Sequence, residues 1–351
     1  MRSLFAGVLH APHCTTRRRA LPAFQRGLSR ERRFELAYLL RQRGRRGLVE
    51  SGPMDSRDPH ADAPGVDSSR LEQTEHDARP IGVFDSGVGG LTVLHECLVS
   101  LPAEDYIYLG DTGFFPYGPR SLEEVRSLAF RNASFLVKQG VKLIIVACNS
   151  AAAAALPQLQ ESLDTPVVGV VMPGARAAVQ GTRSRRVGLM ATEATVRSES
   201  YQRALHSLDA GLTVHPVACP LLAPMIQDGD VFSEEVERAV RGYVAPLKEA
   251  GVDTVILGCT HYPLITPMLR RLLGPGVALI NSAEEIAREV GEILARKGIG
   301  NHPDREGSYV FYATGDPESF RSVGARFLQL PIREVRFWEA GADERANGVS
   351  E

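Results

Sequence analysis

The 351 residues, 44% hydrophobic and 23% charged, suffice for two globular domains or one large one. The net charge of −2 conceals an asymmetry: residues 1–50 hold 12 Arg, no Lys and 3 Glu, while the other 301 carry 28 basic and 39 acidic side chains. An acidic body argues against a nucleic-acid or membrane-surface binder, and no apolar run approaches the roughly 18–20 residues that cross a bilayer.

Residues 1–78 show one short helical pattern, near RRFELAYLLRQR. The opening LFAGVL is too short for a signal-peptide core and runs into arginines. From Glu50 to Pro80 the chain is rich in Pro, Asp and Ser and poor in large apolar residues, so no stable structure is expected there. Met54 offers an internal start, and the extension is expected to be dispensable.

From Ile81 the chain repeats strand, glycine-containing turn and helix. Predicted strands are IGVFD, DYIYLG, VKLIIVA, VVGVV, RVGLMA, LTVHPV, DTVILG, VALIN and SYVFYAT. Predicted helices include LTVLHECLV, SLEEVRSLAFRNASFLVKQG, SESYQRALHSL, SEEVERAVRGYVAPLKEAG and SAEEIAREVGEILARKG. Short apolar strands alternating with amphipathic helices predict an α/β fold with mostly parallel sheets covered on both faces. Ser121, Ser233 and Ser282, each followed by acidic residues, are expected to cap helices.

Two of these strands are built alike. Gly140-Val141 precedes Cys148 by eight residues, and Gly251-Val252 precedes Cys259 by eight. Gly82, in an earlier glycine-containing strand, lies 66 residues before Cys148, and Gly188 lies 71 before Cys259. The repeat predicts two similar α/β domains related by pseudo-symmetry: residues 79–174 plus 286–340, and residues 175–285. Each carries one cysteine at the carboxyl end of a strand, where open parallel sheets bind ligands. If the domains face each other, the two thiols approach one cleft from opposite sides.

Two equivalent groups on opposite faces suit inversion of a carbon acid: one thiolate removes a proton and the opposing thiol delivers one. A thiol's reference pKa, about 8.5, lies near working pH. His261, two positions after Cys259, could exchange its proton, and Asp85, ending the first strand, could serve Cys148. A lone cysteine ending an apolar strand is more often a small core residue; it is the duplication that argues for chemistry. Cys14, Cys97 and Cys219 keep the core reading. The five cysteines have no short paired spacing, which suits a reducing compartment, and a cytoplasmic location is expected.

DSGVGGLTV, Asp85 to Val93, follows the first strand. Its glycines permit positive φ and close backbone approach, so its N–H groups could cradle an anion. It fits neither a dinucleotide fingerprint nor a P-loop. GDTGFFPYGPRS is a loop in which Tyr117-Gly118 could offer a hydroxyl and an N–H, while Thr192 and Thr195 are weaker candidates in the second half. Cys-x-His is a poor zinc spacing, and no lysine stands out for pyridoxal phosphate. No metal or cofactor is expected.

IGVFDSGVGGLTVL, GDTGFFPYGPRS, VACNSAAAAAL, ATEATVRSESY, CPLLAPMIQDG and ILGCTHYPLI occur in the order seen in glutamate racemases. From about Ile81 to Glu334 the sequence resembles that cofactor-independent family, which supplies D-glutamate for peptidoglycan. The resemblance implies two α/β domains with the site between them, and Cys148 and Cys259 as the acid/base pair. It implies substrate contacts from Asp85, Ser86, Tyr117, Gly118, Asn149, Ser150, Thr260 and His261. Ser150 replaces the family's usual Thr. Gln227 stands where Glu is usual, which removes a carboxylate that could handle protons. The expected partners are glutamate and a second copy in a homodimer, with neither nucleic acid nor membrane. The alternatives are a related two-cysteine racemase, such as one for aspartate, or a gyrase-binding regulator.

Overall fold

A computed structural model describes residues 76–229 and 231–340. The helical pattern near residue 38, Cys14 and nearly all of the extension lie outside the described residues.

Two parallel sheets carry the fold. The first has the order β10-β9-β2-β1-β3-β4, built from β1 (Ile81–Asp85), β2 (Tyr106–Gly110), β3 (Leu143–Val146), β4 (Val167–Gly169), β9 (Tyr309–Ala313) and β10 (Val335–Phe337). The second has the order β6-β5-β7-β8, from β5 (Arg186–Ala191), β6 (Thr213–Ala218), β7 (Thr254–Gly258) and β8 (Ala278–Ile280). Thus β2-β1-β3-β4 repeats as β6-β5-β7-β8, the α/β pseudo-symmetry expected from the sequence. The central strands β1, β3 and β7 are buried along their whole length, as helices on both faces require.

The repeat extends to individual contacts. Gly82 pairs with Ile144, four residues before Cys148; Gly188 pairs with Val255, four residues before Cys259. A Cβ at Gly82 would meet Leu136 and Val141, and one at Gly188 would meet Leu247 and Val252. Leu136 lies on α2 (Leu122–Lys138) and Leu247 on α8 (Glu234–Glu249), so a helix leans on a glycine at the same place in each half. Both helices are followed by a left-handed glycine, Gly140 at φ +73° and Gly251 at φ +63°, where other residues would be strained.

Helix starts largely follow the expected caps. Ser121 and Glu124 form a reciprocal capping box on α2. Ser233 accepts the Val236 N–H at the start of α8. The third expected cap is corrected: Asn281 accepts the Ala283 N–H and caps α10 (Ser282–Lys297), while buried Ser282 opens the helix 3.4 Å from the Tyr201 hydroxyl. VVGVV also divides, because Val171 already starts α4 (Val171–Gly181). No described helix is long and apolar enough to cross a membrane.

Candidate active site

The carboxyl ends of β1, β3, β5 and β7 converge. Val146 ends β3, and Cys148 sits at the N-terminus of α3 (Asn149–Ser162). Gly258 ends β7, directly before Cys259. Cys148 and Cys259, 5% and 7% exposed, line one small, partly open cavity. Ser86, Tyr117, Gly118, Asn149, Ser150, Thr260 and His261 share that lining, so the sequence candidates meet in one place. Asp85 lies just behind it, fully buried.

Each thiol has its own titratable neighbour. The Asp85 carboxyl is in hydrogen-bonding contact with Cys148, and Thr260 Oγ1 donates to Asp85 Oδ1 at 3.4 Å. Burial raises the Asp85 pKa, against the pull of the Gly90 and Gly87 N–H groups. On the other side, Cys259 Sγ lies 3.7 Å from His261 Nδ1. Burial pushes the imidazole pKa down to about 3, so the ring is neutral. The thiols themselves are held protonated. Burial and then the Asp85 charge push Cys148 up to about 12, and burial takes Cys259 well above its ordinary value.

The DSGVGG loop acts differently from its sequence reading. Its glycines at 87, 89 and 90 do not take positive φ. Instead it wraps the protein's own anion: the Gly87 N–H donates to Asp85 Oδ2 at 3.1 Å, and the Gly90 N–H also bonds that carboxyl. Close approach is what its glycines serve. A Cβ at Gly90 would fall 2.5 Å from that of Asp85, and one at Gly89 would fall 2.4 Å from Thr260 Oγ1.

Tyr117 lines the cavity with its ring. Its hydroxyl is buried and donates in a short contact to Asp111, which accepts as well from Arg131 at 2.6 Å and from Thr314 Oγ1 at 2.7 Å. The ring therefore shapes the wall, with its hydroxyl already engaged. Asn149 Oδ1 likewise accepts from the Tyr201 hydroxyl at 2.6 Å.

Hydrogen bonds between residues of the two halves link them beside the cavity. Thr192 Oγ1 and Ser150 Oγ are 2.8 Å apart. Thr92 Oγ1 reaches the Thr260 carbonyl at 3.2 Å, and the Ala194 N–H donates to the Gly118 carbonyl at 2.9 Å. The sequence signals for Thr192 are its place in the loop that matches the first half and in the ATEATVRSESY motif. Tyr201 closes the ATEATVRSESY motif, but its pattern is that of one apolar position on an amphipathic helix, which hides its hydroxyl contact to Asn149. Cys97 and Cys219 are buried and free, and neither lines the cavity. Among the described residues, no three His, Cys, Asp or Glu side chains converge as a metal site would require.

The family model for Asp/Glu/Hydantoin racemases matches residues 82–290. The chain is 45% identical over 258 residues to the glutamate racemase of Exiguobacterium sibiricum, across 74% of this chain and 95% of the relative. Its fold matches the crystal structure of glutamate racemase isoform RacE1 from Bacillus anthracis, with TM-score 0.72 and 44% identity over 75% of this chain and 98% of that one. Glutamate racemase from Francisella tularensis, solved with D-glutamate, matches with TM-score 0.70 and 35% identity, across 75% of this chain and 98% of that one.

Proposed function

The chain belongs to the Asp/Glu/Hydantoin racemase family, and we propose on that footing that it interconverts L- and D-glutamate by two opposed cysteines. The observation that carries this reading is the pair of thiols. They sit at equivalent strand ends of two similar halves, line one cavity, and each has a separate titratable neighbour.

In the proposed reaction, Cys259 as thiolate takes the α-proton of L-glutamate. The Cys148 thiol then delivers a proton to the opposite face, giving D-glutamate; the reverse direction exchanges the roles. The protonated thiols set the electrostatic problem. A bound amino acid brings an ammonium, which favours a thiolate beside it, and carboxylates, which favour a protonated imidazole. Both changes assist transfer of the Cys259 proton towards His261. On the opposite side Asp85 is the corresponding acceptor, and its burial makes it a stronger base than an exposed carboxylate.

Charge that develops on the substrate carboxylate as the α-proton leaves needs fixed dipoles around it. Ser86, Ser150, Thr192 and Thr260 place hydroxyl groups in the lining, already oriented by the protein. Asn149 and the backbone near Gly118 complete the proposed substrate contacts.

The reading also implies a cytoplasmic enzyme that supplies D-glutamate for peptidoglycan, with no metal or organic cofactor, acting as a homodimer. Circular dichroism of the purified protein with L-glutamate, without added cofactor, should show the signal decay to zero. A static signal with L-glutamate and decay with L-aspartate would assign the chain to the related aspartate reaction instead.

A further inference from the structure

The Cys259 side contains a connected set of contacts that begins on the other half of the molecule. Helix α11 (Pro317–Leu328), between β9 and β10 of the first sheet, carries Arg326 and Phe327. Arg326 Nη2 donates to the Gln227 carbonyl at 2.7 Å, and Nη1 donates to the Gly229 carbonyl at 3.2 Å. Those carbonyls lie at the end of α7 (Leu222–Asp228), in the second half, where terminal carbonyls lack helical partners. A cation at a helix C-terminus is favoured there. The Gln227 side chain turns the other way: Oε1 lies 3.1 Å from His261 Nε2. The imidazole is held in place by rings, with Phe327 at 5.1 Å edge-on and Phe115 at 5.5 Å.

A neutral imidazole has one N–H and one lone pair, and the partner of one nitrogen decides which is which. An amide oxygen can only accept, so the proton belongs on Nε2 and the lone pair on Nδ1. Nδ1 is the atom that faces Cys259 Sγ. The opposite tautomer would aim an N–H at the sulfur, and His261 could then take nothing from the thiol.

We propose that Gln227 and Arg326 are positioning residues for the Cys259 half of the reaction: Arg326 seats the end of α7, and Gln227 thereby fixes the His261 tautomer that can receive the thiol proton. The inference rests on the two-thiol reading above and deepens it. The contacts also span the two halves, because the arginine comes from one half and the amide, imidazole and thiol from the other.

Racemisation rates cannot test this alone. The substrate and product are mirror images with an equilibrium constant of one, so kcat/KM must be equal in the two directions for every variant. A half-reaction can be one-sided. With 3-chloroglutamate, a thiolate takes the α-proton, the C–H pair becomes the Cα–Cβ double bond, and chloride leaves with the C–Cl pair. The resulting enamine is protonated and hydrolysed in water to a keto acid and ammonia. No delivery from the second thiol is needed.

The experiment measures chloride release from the L- and D-configured compounds by wild type, Gln227→Leu, Gln227→Glu and Arg326→Met. Gln227→Leu should lose at least about tenfold in kcat with the L-configured compound, within the range of an impaired acid–base group, and keep its rate with the D-configured one. An ionised Glu can only accept, so Gln227→Glu should restore most of the lost rate. Arg326→Met should show the same one-sided loss, to a smaller extent. Equal losses with both enantiomers would mean that the two residues merely support the fold, and would overturn the proposal. So would failure of Gln227→Glu to restore the rate, because residue 227 would then be needed as a donor. A wild type that released chloride from neither compound would instead sink the two-thiol reading on which the proposal stands.

Discussion

Gly89 and His261 touch so closely that a Cβ at position 89 would lie 2.5 Å from the imidazole Nδ1. The glycine belongs to the loop after β1 and the histidine to the turn after β7, so this contact fixes how near the two halves come. A methyl group there must displace either the imidazole, which is held by Phe115 and Phe327, or the loop that wraps Asp85. Gly89→Ala should therefore cost about 1–3 kcal/mol through overpacking. Because displacement of about 1 Å at a reacting group can cost a hundredfold in rate, activity should fall far more than stability does. Urea unfolding and racemase kinetics on the same preparation would decide this; wild-type turnover in Gly89→Ala would mean that the contact is irrelevant.

The raised thiols make a prediction for the empty enzyme. Alkylation requires thiolate, and below a thiol's pKa the thiolate fraction grows tenfold with each pH unit. Burial and the Asp85 charge place Cys148 near 12, and burial places Cys259 well above its ordinary range. The iodoacetamide rate at both cysteines, followed by mass spectrometry, should climb without a plateau from pH 7 to pH 10. A plateau near pH 8 would show that at least one thiol rests with an ordinary or lowered pKa.

The fold was legible because its signals are local. Apolar runs such as LIIVA mark strands, and the Gly-Val spacing before Cys148 and Cys259 marks a duplication. The short edge strand β10 escaped notice, since its three residues, VRF, carry no alternation long enough to read. VVGVV looked like one strand because a buried strand and a buried helix start have the same apolar composition; only the turn after Gly169 separates them. Within the site, the candidates next to strand ends were readable because chain position alone brings them to the cleft. Thr92, Tyr201 and Arg326 were not, because their roles depend on how one half meets the other. The DSGVGG loop has the pattern of an anion cradle, and the sequence alone does not show that the anion is the chain's own Asp85.

Residues at the start of the described chain are tied to the first sheet. Lys142, just before β3, has a fully buried side chain that pairs with Glu104 at 2.6 Å and donates to the Asp77 carbonyl at 2.6 Å. Protein starting at Asp77 keeps both partners and should retain full activity and stability. Starting at Ile81 removes one of them, and a hydrogen bond to a buried charge is worth about 2 kcal/mol. Urea midpoints should therefore separate the two forms. Loss of activity in the form starting at Asp77 would show that the extension is required after all.

The sharpest prediction separates Cys148 from Cys259. Every racemisation turnover needs one thiolate and one thiol on opposite faces, so Cys148→Ser and Cys259→Ser should each nearly abolish it. Serine is close to cysteine in size, and both thiols border a cavity, so neither change should unfold the protein. Its hydroxyl is far too weak an acid to stand in for the thiol. The surviving thiolate can still lift the α-proton that faces it. With 3-chloroglutamate this is enough to expel chloride, so each mutant should process one enantiomer and leave the other almost untouched. Under the proposed assignment, Cys259→Ser keeps activity on the D-configured compound, through Cys148, and Cys148→Ser keeps it on the L-configured one. A reversed preference would exchange the roles of the two cysteines and leave the opposition intact. The same preference in both mutants, or substantial racemisation by either, would rule out opposed thiols as the mechanism of this protein.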